Sequence, residues 1–134
     1  MVQLEAGRIE ATIQRYFAAT GSASPVEGMV ACFAPDATSQ DPVTGPVLTG
    51  HGELSQGLQA LVSLFDHVEL TADFVAITGE AAAVKWSGRG VGHNGREVAF
   101  AGIDLFEFNP GGQIQRLRGY WNPEPLIALL QAGL

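Results

Sequence analysis

The chain has 134 residues, a common size for one domain, and 46% of them are hydrophobic, which is enough for a core. Acidic side chains outnumber basic ones 14 to 7, giving a net charge of −7 that opposes binding to phosphate backbones and anionic lipids. This composition argues against nucleic-acid and membrane partners but is compatible with a neutral small-molecule ligand. We interpret residues 1–134 as a single domain.

The sequence offers no sign of an oxidising or membrane environment. Cys32 is the only cysteine, so an intrachain disulfide is impossible. The first ten residues lack the apolar run of a signal peptide, and no stretch approaches the roughly 18 unbroken apolar residues of a membrane helix. We therefore expect a cytoplasmic protein.

Three helices are predicted in the first half of the chain. The first ends near Gly21 after apolar residues at helical spacing: Leu4, Ile9, Ile13, Tyr16 and Phe17. The second begins with a capping box of Ser24 and Glu27, and its apolar stripe is Val26, Met29, Val30 and Phe33. A short extended piece, 37–40, leads to Asp41 and a loop, and a third helix spans about 52–65.

From Val68 onwards the apolar period changes to two, which is typical of strands. Strands are predicted from Val68, over 81–89, over 97–109 and over 113–121, with a hairpin turn at Asn94-Gly95 and a last helical turn or two at 126–130. Helices followed by an antiparallel meander indicate an α+β fold.

Asp104 interrupts an otherwise apolar face of the third long strand. The residues at alternate positions, which share one face of a strand, are Val98, Phe100, Gly102, Asp104, Phe106 and Phe108. Burial of that face would raise the pKa of the carboxyl, and a neutral carboxyl can donate a hydrogen bond to a developing oxyanion. The alternative is a polar residue at a strand end or bulge, bonded to the backbone.

The opposite face of the same strand is also apolar at its centre. Ala99, Ala101, Ile103 and Leu105 occupy it. A strand that is apolar on both sides is expected to be covered on both sides, by the helices on one face and by a second subunit on the other. We therefore expect a homodimer through the sheet.

Tyr16, Asp41 and Asp104 come from a helix, a loop and a strand, and the segments around them carry a resemblance. They are Gln-Arg-Tyr-Phe-Ala-Ala, Phe-Ala-Pro-Asp-Ala-Thr-Ser-Gln-Asp-Pro-Val and Gly-Ile-Asp-Leu-Phe-Glu-Phe. Together with the tail Gly-Gly-Gln-Ile-Gln-Arg-Leu-Arg-Gly-Tyr-Trp, they resemble ketosteroid isomerase, a steroid Δ5-3-ketoisomerase of the NTF2-like (SnoaL-like) superfamily. The resemblance extends from about Ile9 to Trp121. The stretch at Asp41 is common across the superfamily, whereas Tyr16 together with Asp104 is more restricted.

The resemblance implies a fold and a reaction. The fold is a cone of about three N-terminal helices packed on a curved antiparallel sheet, with an apolar pocket between them. In the implied reaction Asp41 is the general base that moves a proton between two carbons, which shifts a double bond into conjugation with a ketone. Tyr16 and a protonated Asp104 donate hydrogen bonds to the ketone oxygen as it becomes a dienolate. This chemistry requires no metal and no cofactor.

The expected substrate-binding residues are Phe33, Leu58, Trp86, Phe100 and Trp121. Of these, Phe33, Leu58 and Trp121 stand at pocket positions of the family, with some departures from its pattern. Phe33 and Leu58 stand where some family members have tyrosines that support the catalytic one, so Tyr16 is expected to act without that network. For Trp86, Phe100 and Trp121, core filling is the alternative.

Two other functions remain open at the level of sequence. A SnoaL-like polyketide cyclase, or another acid–base enzyme of this fold, would keep Asp41 as the base without requiring Tyr16 and Asp104 to face the substrate. A non-catalytic module for hydrophobic ligands or dimerisation would bind without turnover. His51, His67 and His93 have no ligand spacing, which argues against a metal site.

Overall fold

The computed structural model describes residues 5–132, which form four helices and one curved six-stranded sheet. The helices α1 to α4 span Ala6–Thr20, Pro25–Val30, Gly50–Val62 and Glu124–Gln131. The strands β1 to β6 span Phe33–Gln40, Leu48–Thr49, Phe65–Thr78, Ala81–Gly92, Glu97–Phe108 and Ile114–Tyr120. The α+β class predicted from the sequence is confirmed, and the last helical turns predicted after the sheet form a fourth helix.

The strand order β2-β1-β6-β5-β4-β3 positions the candidate site. β3 to β6 form the antiparallel meander predicted from the sequence, and β1 pairs with β6 in parallel. Because parallel strands end at the same edge of a sheet, the residue after β1 and the residue after β6 become neighbours. These residues are Asp41 and Trp121.

Two helix boundaries differ from the sequence-based prediction. The second helix ends at Val30, and Phe33, which fits its apolar stripe, instead begins β1 and pairs with Ile114. Phe65 likewise begins β3 rather than ending the third helix. Short apolar runs fit both periods, and pairing in the sheet decides between them. Ser24 makes no side-chain capping bond. Leu4 lies outside the described residues.

The helices cover one face of the sheet. Ile9, Ile13, Tyr16 and Phe17 of α1 are all buried in one core, and its sheet side includes Phe106 and Phe108. Burial of apolar surface of this kind is the dominant favourable contribution to folding. Among the helices of residues 5–132, none has the length and hydropathy to cross a bilayer.

Residues 5–132 leave the other face of the sheet uncovered. A row of neighbouring side chains crosses four strands in register: Phe74, Lys85, Ile103 and Tyr120. Phe74 is 66% exposed and Ile103 is 46% exposed. The second cover expected for β5 is therefore not supplied by the part of the chain that the structure describes.

Candidate active site

Asp104 lies in the middle of β5 on the helix-covered face and is only 3% exposed. The indole Nε1 of Trp86, on the adjacent β4, donates a hydrogen bond of 3.1 Å to Asp104 Oδ1. Burial and then the negative charge of Asp41 raise the pKa of Asp104 well above its usual value, and the Trp86 bond opposes them. The sequence-based expectation of a carboxyl in apolar surroundings agrees with this environment.

Asp41 follows β1 and stands at the rim of the site, where it is exposed to solvent. Trp121 Nε1 donates a hydrogen bond of 2.7 Å to Asp41 Oδ1. Partial loss of solvation raises the pKa of Asp41, and the Trp121 bond lowers it. The pKa of Asp104 is raised further, so Asp41 ionises more readily than Asp104. Gly119 of β6 makes room for this carboxylate, because a Cβ there would overlap it.

Tyr16 of α1 is buried and is held by edge-to-face contacts with three phenylalanine rings, those of Phe17, Phe33 and Phe106. Burial raises the pKa of Tyr16 well above its usual value, with further increases from the charges of Asp104 and Asp41. The hydroxyl therefore remains protonated and available as a donor. The structure brings Tyr16, Asp41 and Asp104 within electrostatic reach of one another.

A cavity of about 200 Å³ opens beside this group. Tyr16 and Asp41 line it, as do three of the five predicted substrate-binding residues: Phe33, Leu58 and Trp121. Trp86, Phe100 and Asp104 do not line it. Trp86 and Phe100 instead pack against each other and against Trp121, in a cluster behind the cavity wall.

Aliphatic residues that sequence patterns place only in the core form much of the remaining cavity wall. Leu54 and Leu61 of α3, Leu117 of β6 and Leu126 and Ile127 of α4 contribute to it. The α3 leucines lie on the same apolar face of the helix as Leu58. Once Leu58 is placed in the pocket, helical spacing therefore predicts that they line it too. The α4 residues carry no such signal, because the position of that helix depends on the sheet.

The chemical character of the site follows from these residues. Its wall is mostly apolar, with one phenol and one carboxylate facing the cavity and a second carboxyl behind them. In residues 5–132 no three His, Cys, Asp or Glu side chains are grouped as metal ligands would be. The arrangement is suited to moving a proton on a hydrophobic ligand and to stabilising negative charge on its oxygen.

Comparison with known proteins places the chain in a family. The model of the SnoaL-like domain matches residues 13–117. The chain belongs to the SnoaL-like family. It is 27% identical over 120 residues to a steroid Delta-isomerase from Nocardioides simplex, covering 89% of this chain and 94% of that protein. The resemblance seen in the sequence is thereby confirmed.

Solved structures agree on the fold. A protein from Jannaschia sp. assigned as a SnoaL-like polyketide cyclase superposes with a TM-score of 0.82 at 15% identity, over 100% of both chains. An NTF2-like protein from Burkholderia pseudomallei superposes with a TM-score of 0.80 at 20% identity, over 93% of this chain and 98% of that one. At these identities the likeness concerns the fold. Names within the SnoaL-like and NTF2-like group include both isomerases and cyclases.

Proposed function

We propose that this SnoaL-like protein is a cofactor-independent isomerase that moves a carbon–carbon double bond into conjugation with a ketone on a steroid-like substrate. The observation that carries the proposal is the pair of carboxyls with different surroundings, Asp41 at the rim and Asp104 buried. Titratable groups whose environments separate their pKa values are the usual arrangement of an acid and a base. The steroid Delta-isomerase relative supports the choice of substrate class.

In the proposed reaction Asp41 is the base. The ionised carboxylate removes a proton from the carbon between the ketone and the double bond. The electrons of that C–H bond form the dienolate, with negative charge on the ketone oxygen. The proton returns from Asp41 to the far carbon of the former double bond, so the product is the conjugated isomer and Asp41 is ionised again. No oxidant or reductant is consumed.

Tyr16 and Asp104 are proposed to stabilise the dienolate oxygen. Both have raised pKa values and so remain protonated where Asp41 is ionised. Donors in a site that excludes water are effective because they need little reorganisation as charge develops. Tyr16 lines the cavity directly, whereas a substrate oxygen must extend past the cavity wall to meet Asp104.

The cavity volume bears on how a steroid would bind. About 200 Å³ is smaller than the roughly 300–1,000 Å³ of pockets that enclose a drug-sized ligand. We therefore propose that the reacting ring and its neighbour occupy the cavity while the remaining rings extend over its apolar rim. Leu64 and Ile127 supply that rim and are partly exposed.

The test is a direct assay of the isomerisation. Purified protein is mixed with a Δ5-3-ketosteroid, and the ultraviolet absorbance of the conjugated enone is followed against Asp41→Asn as the matched control. A rise with the wild-type protein that the variant lacks supports the proposal. A bicyclic β,γ-unsaturated ketone tests the binding mode, and it should be turned over with a raised KM. Absence of turnover while a phenolic steroid binds would contradict the isomerase proposal.

A polyketide cyclase is the second candidate, and one observation favours it. Asp104 does not line the cavity, and a cyclase of this fold requires Asp41 as a base without requiring Asp104 at the substrate. The SnoaL-like structural neighbours assigned as cyclases are consistent with this candidate. Tight binding of flat hydrophobic ligands with no turnover of either substrate class would instead support a non-catalytic binding module.

We also propose that the chain forms a homodimer through the uncovered face of the sheet. Phe74, Ile103 and Tyr120 expose apolar surface there in one row, and exposed apolar patches often mark interaction surfaces. Sedimentation velocity at micromolar concentration should show a dimer, and Ile103→Lys should convert it to monomer. A monomer for the unmodified chain would contradict this proposal.

A further inference from the structure

Each of the two tryptophans of the chain donates its indole N–H to an aspartate of the candidate site. Trp121 Nε1 donates to Asp41 Oδ1, and Trp86 Nε1 donates to Asp104 Oδ1. The two indole rings meet edge to face with centroids 5.9 Å apart. Each carboxyl of the proposed acid–base pair is therefore bonded to an indole, and the indoles contact each other.

The ring of Trp86 is fixed on several sides. It is buried, and Phe100 packs edge-to-face against it at 5.7 Å. Gly102, its partner across β4 and β5, leaves the space that the ring fills, because a Cβ there would come within 2.7 Å of Trp86 Cζ2. A Trp in this niche has little rotational freedom, so the direction of its N–H is set by packing.

The chemistry of the indole then determines where the proton of Asp104 is carried. An indole N–H only donates, so the carboxyl oxygen that it faces must accept. Oδ1 is that oxygen. The carbonyl oxygen of a neutral carboxyl is a better acceptor than its hydroxyl oxygen, so the indole favours placing the acidic proton on Oδ2, the oxygen that is free of the indole.

We infer that Trp86, predicted from the sequence as a substrate-binding residue, is a positioning residue that orients the carboxyl of Asp104 and assigns its acidic proton to Oδ2. The inference rests on the proposed function, in which Asp104 is the second donor to the dienolate. The hydrogen bond that orients the carboxyl also lowers its pKa, because an N–H donor favours the charged form. Burial outweighs that effect at Asp104, so the group gains a fixed direction and stays neutral.

The first experiment needs no turnover. The two indole N–H signals are recorded by ¹H–¹⁵N NMR and assigned with Trp86→Phe and Trp121→Phe. We expect Asp104→Ala to move the Trp86 signal and leave that of Trp121 nearly unchanged, and Asp41→Ala to do the converse. The Trp86 signal should also move with pH in the wild-type protein and stop doing so in Asp104→Asn. A Trp86 signal that is indifferent to Asp104→Ala would overturn the inference.

The second experiment separates positioning from general core packing. Trp86→Phe keeps an aromatic ring and removes the N–H, and we expect kcat to decrease about 10- to 100-fold with KM within about threefold, because small misplacements of catalytic groups have effects of this size. In the Asp104→Ala background the same substitution should cause little further loss.

Phe108→Leu, a core truncation on the same strand, is the control, and it should lower stability without lowering kcat. An equal loss of kcat in both backgrounds would overturn the inference. If no ketosteroid is turned over, the proposed function fails, and the NMR result alone decides whether Trp86 orients Asp104.

Discussion

Asp41 and Asp104 are the same residue type with the same kind of indole partner, yet they stand in opposite surroundings. Asp41 follows the end of a strand at the rim, where water reaches it. Asp104 is enclosed in the middle of a strand among aromatic rings and is 3% exposed. Solvent favours the charged carboxylate and burial favours the neutral acid. Position in the sheet thus separates the two carboxyls in the way that the proposed roles of base and hydrogen-bond donor require.

The charge of Asp41 increases the difference in pKa between the two carboxyls. Ionised Asp41 further raises the pKa of Asp104, so the pair reaches a state with one negative charge and one proton. Loss of the second proton would place two negative charges near each other in a site of low polarity. Because the two groups are coupled, a pH profile reports the pair rather than either residue.

The largest effect is expected from removing the base. Asp41→Asn keeps the shape of the side chain and removes its ability to accept the substrate proton, so kcat should decrease by roughly 10³-fold or more. Binding of a phenolic steroid should be retained or tightened, as measured by fluorescence titration. A loss of binding with little change in kcat would make Asp41 a binding residue and remove the contrast between the two carboxyls.

The next effect concerns the donor. Asp104→Ala would remove the proposed hydrogen bond to the dienolate and should lower kcat by about 10²- to 10³-fold, the usual loss for one oxyanion donor. Asp104→Asn retains an N–H donor and an oxygen that can accept from Trp86, so most of the activity should remain. Steady-state kinetics of the two variants test this difference. Equal losses would show that donation by Asp104 does not contribute.

Local sequence patterns are sufficient to predict much of this arrangement. The alternation around Asp104 indicates apolar surroundings, and the shift from helical to strand periodicity near Val68 indicates the α+β class. What local patterns cannot provide depends on pairing between distant segments. The parallel contact of β1 with β6, which brings Trp121 to Asp41, and the packing of Trp86 against Gly102 are set by tertiary structure. For the same reason Phe33 and Phe65 fit helical patterns although they begin strands.

A smaller effect is expected at the rim. Gly119→Ala adds a Cβ where the carboxylate of Asp41 lies, so the base must move away from Trp121. We expect kcat to decrease about 10- to 100-fold, because a shift of roughly 1 Å is costly in catalysis. Gly7→Ala is the matched control, since a Cβ at that exposed helical position meets nothing. Unchanged kcat in Gly119→Ala would show that the rim tolerates displacement of the base.

The buried carboxyl of Asp104 should also make the free energy of unfolding depend on pH. The pKa of Asp104 is raised in the folded protein, so above its ordinary value the folded state binds more protons than the unfolded state. The free energy of unfolding therefore falls as pH rises towards the folded pKa, by up to about 1.4 kcal/mol for each pH unit. Asp104→Asn removes this dependence on pH. Its free energy of unfolding should therefore exceed that of the wild type at neutral pH, and the difference should be smaller near pH 4. Urea unfolding across this range measures the difference, and a gain independent of pH would contradict the buried acid.

The smallest effect is expected at an exposed pair that contrasts with the buried one. His93 Nδ1 lies 2.6 Å from Asp66 Oδ1, and its Nε2 lies 2.7 Å from the carbonyl oxygen of Ser63. Both partners accept hydrogen bonds, so the imidazolium is favoured, and the Ser63 carbonyl and then the Asp66 carboxylate raise the pKa of His93.

The contribution of this pair should also fall as pH rises, beginning near the ordinary pKa of histidine rather than that of aspartate. A histidine with a raised folded pKa stabilises fully below its unfolded value of about 6.5, and this stabilisation is lost as pH rises through the folded pKa. The difference in Tm between wild type and His93→Gln should therefore be largest at acidic pH and vanish at alkaline pH. Asp66→Asn should shift the transition to lower pH. A difference in Tm that does not vary with pH would mean that the contact at His93 is insensitive to its charge, because solvent at this exposed site screens the interaction that burial preserves at Asp104.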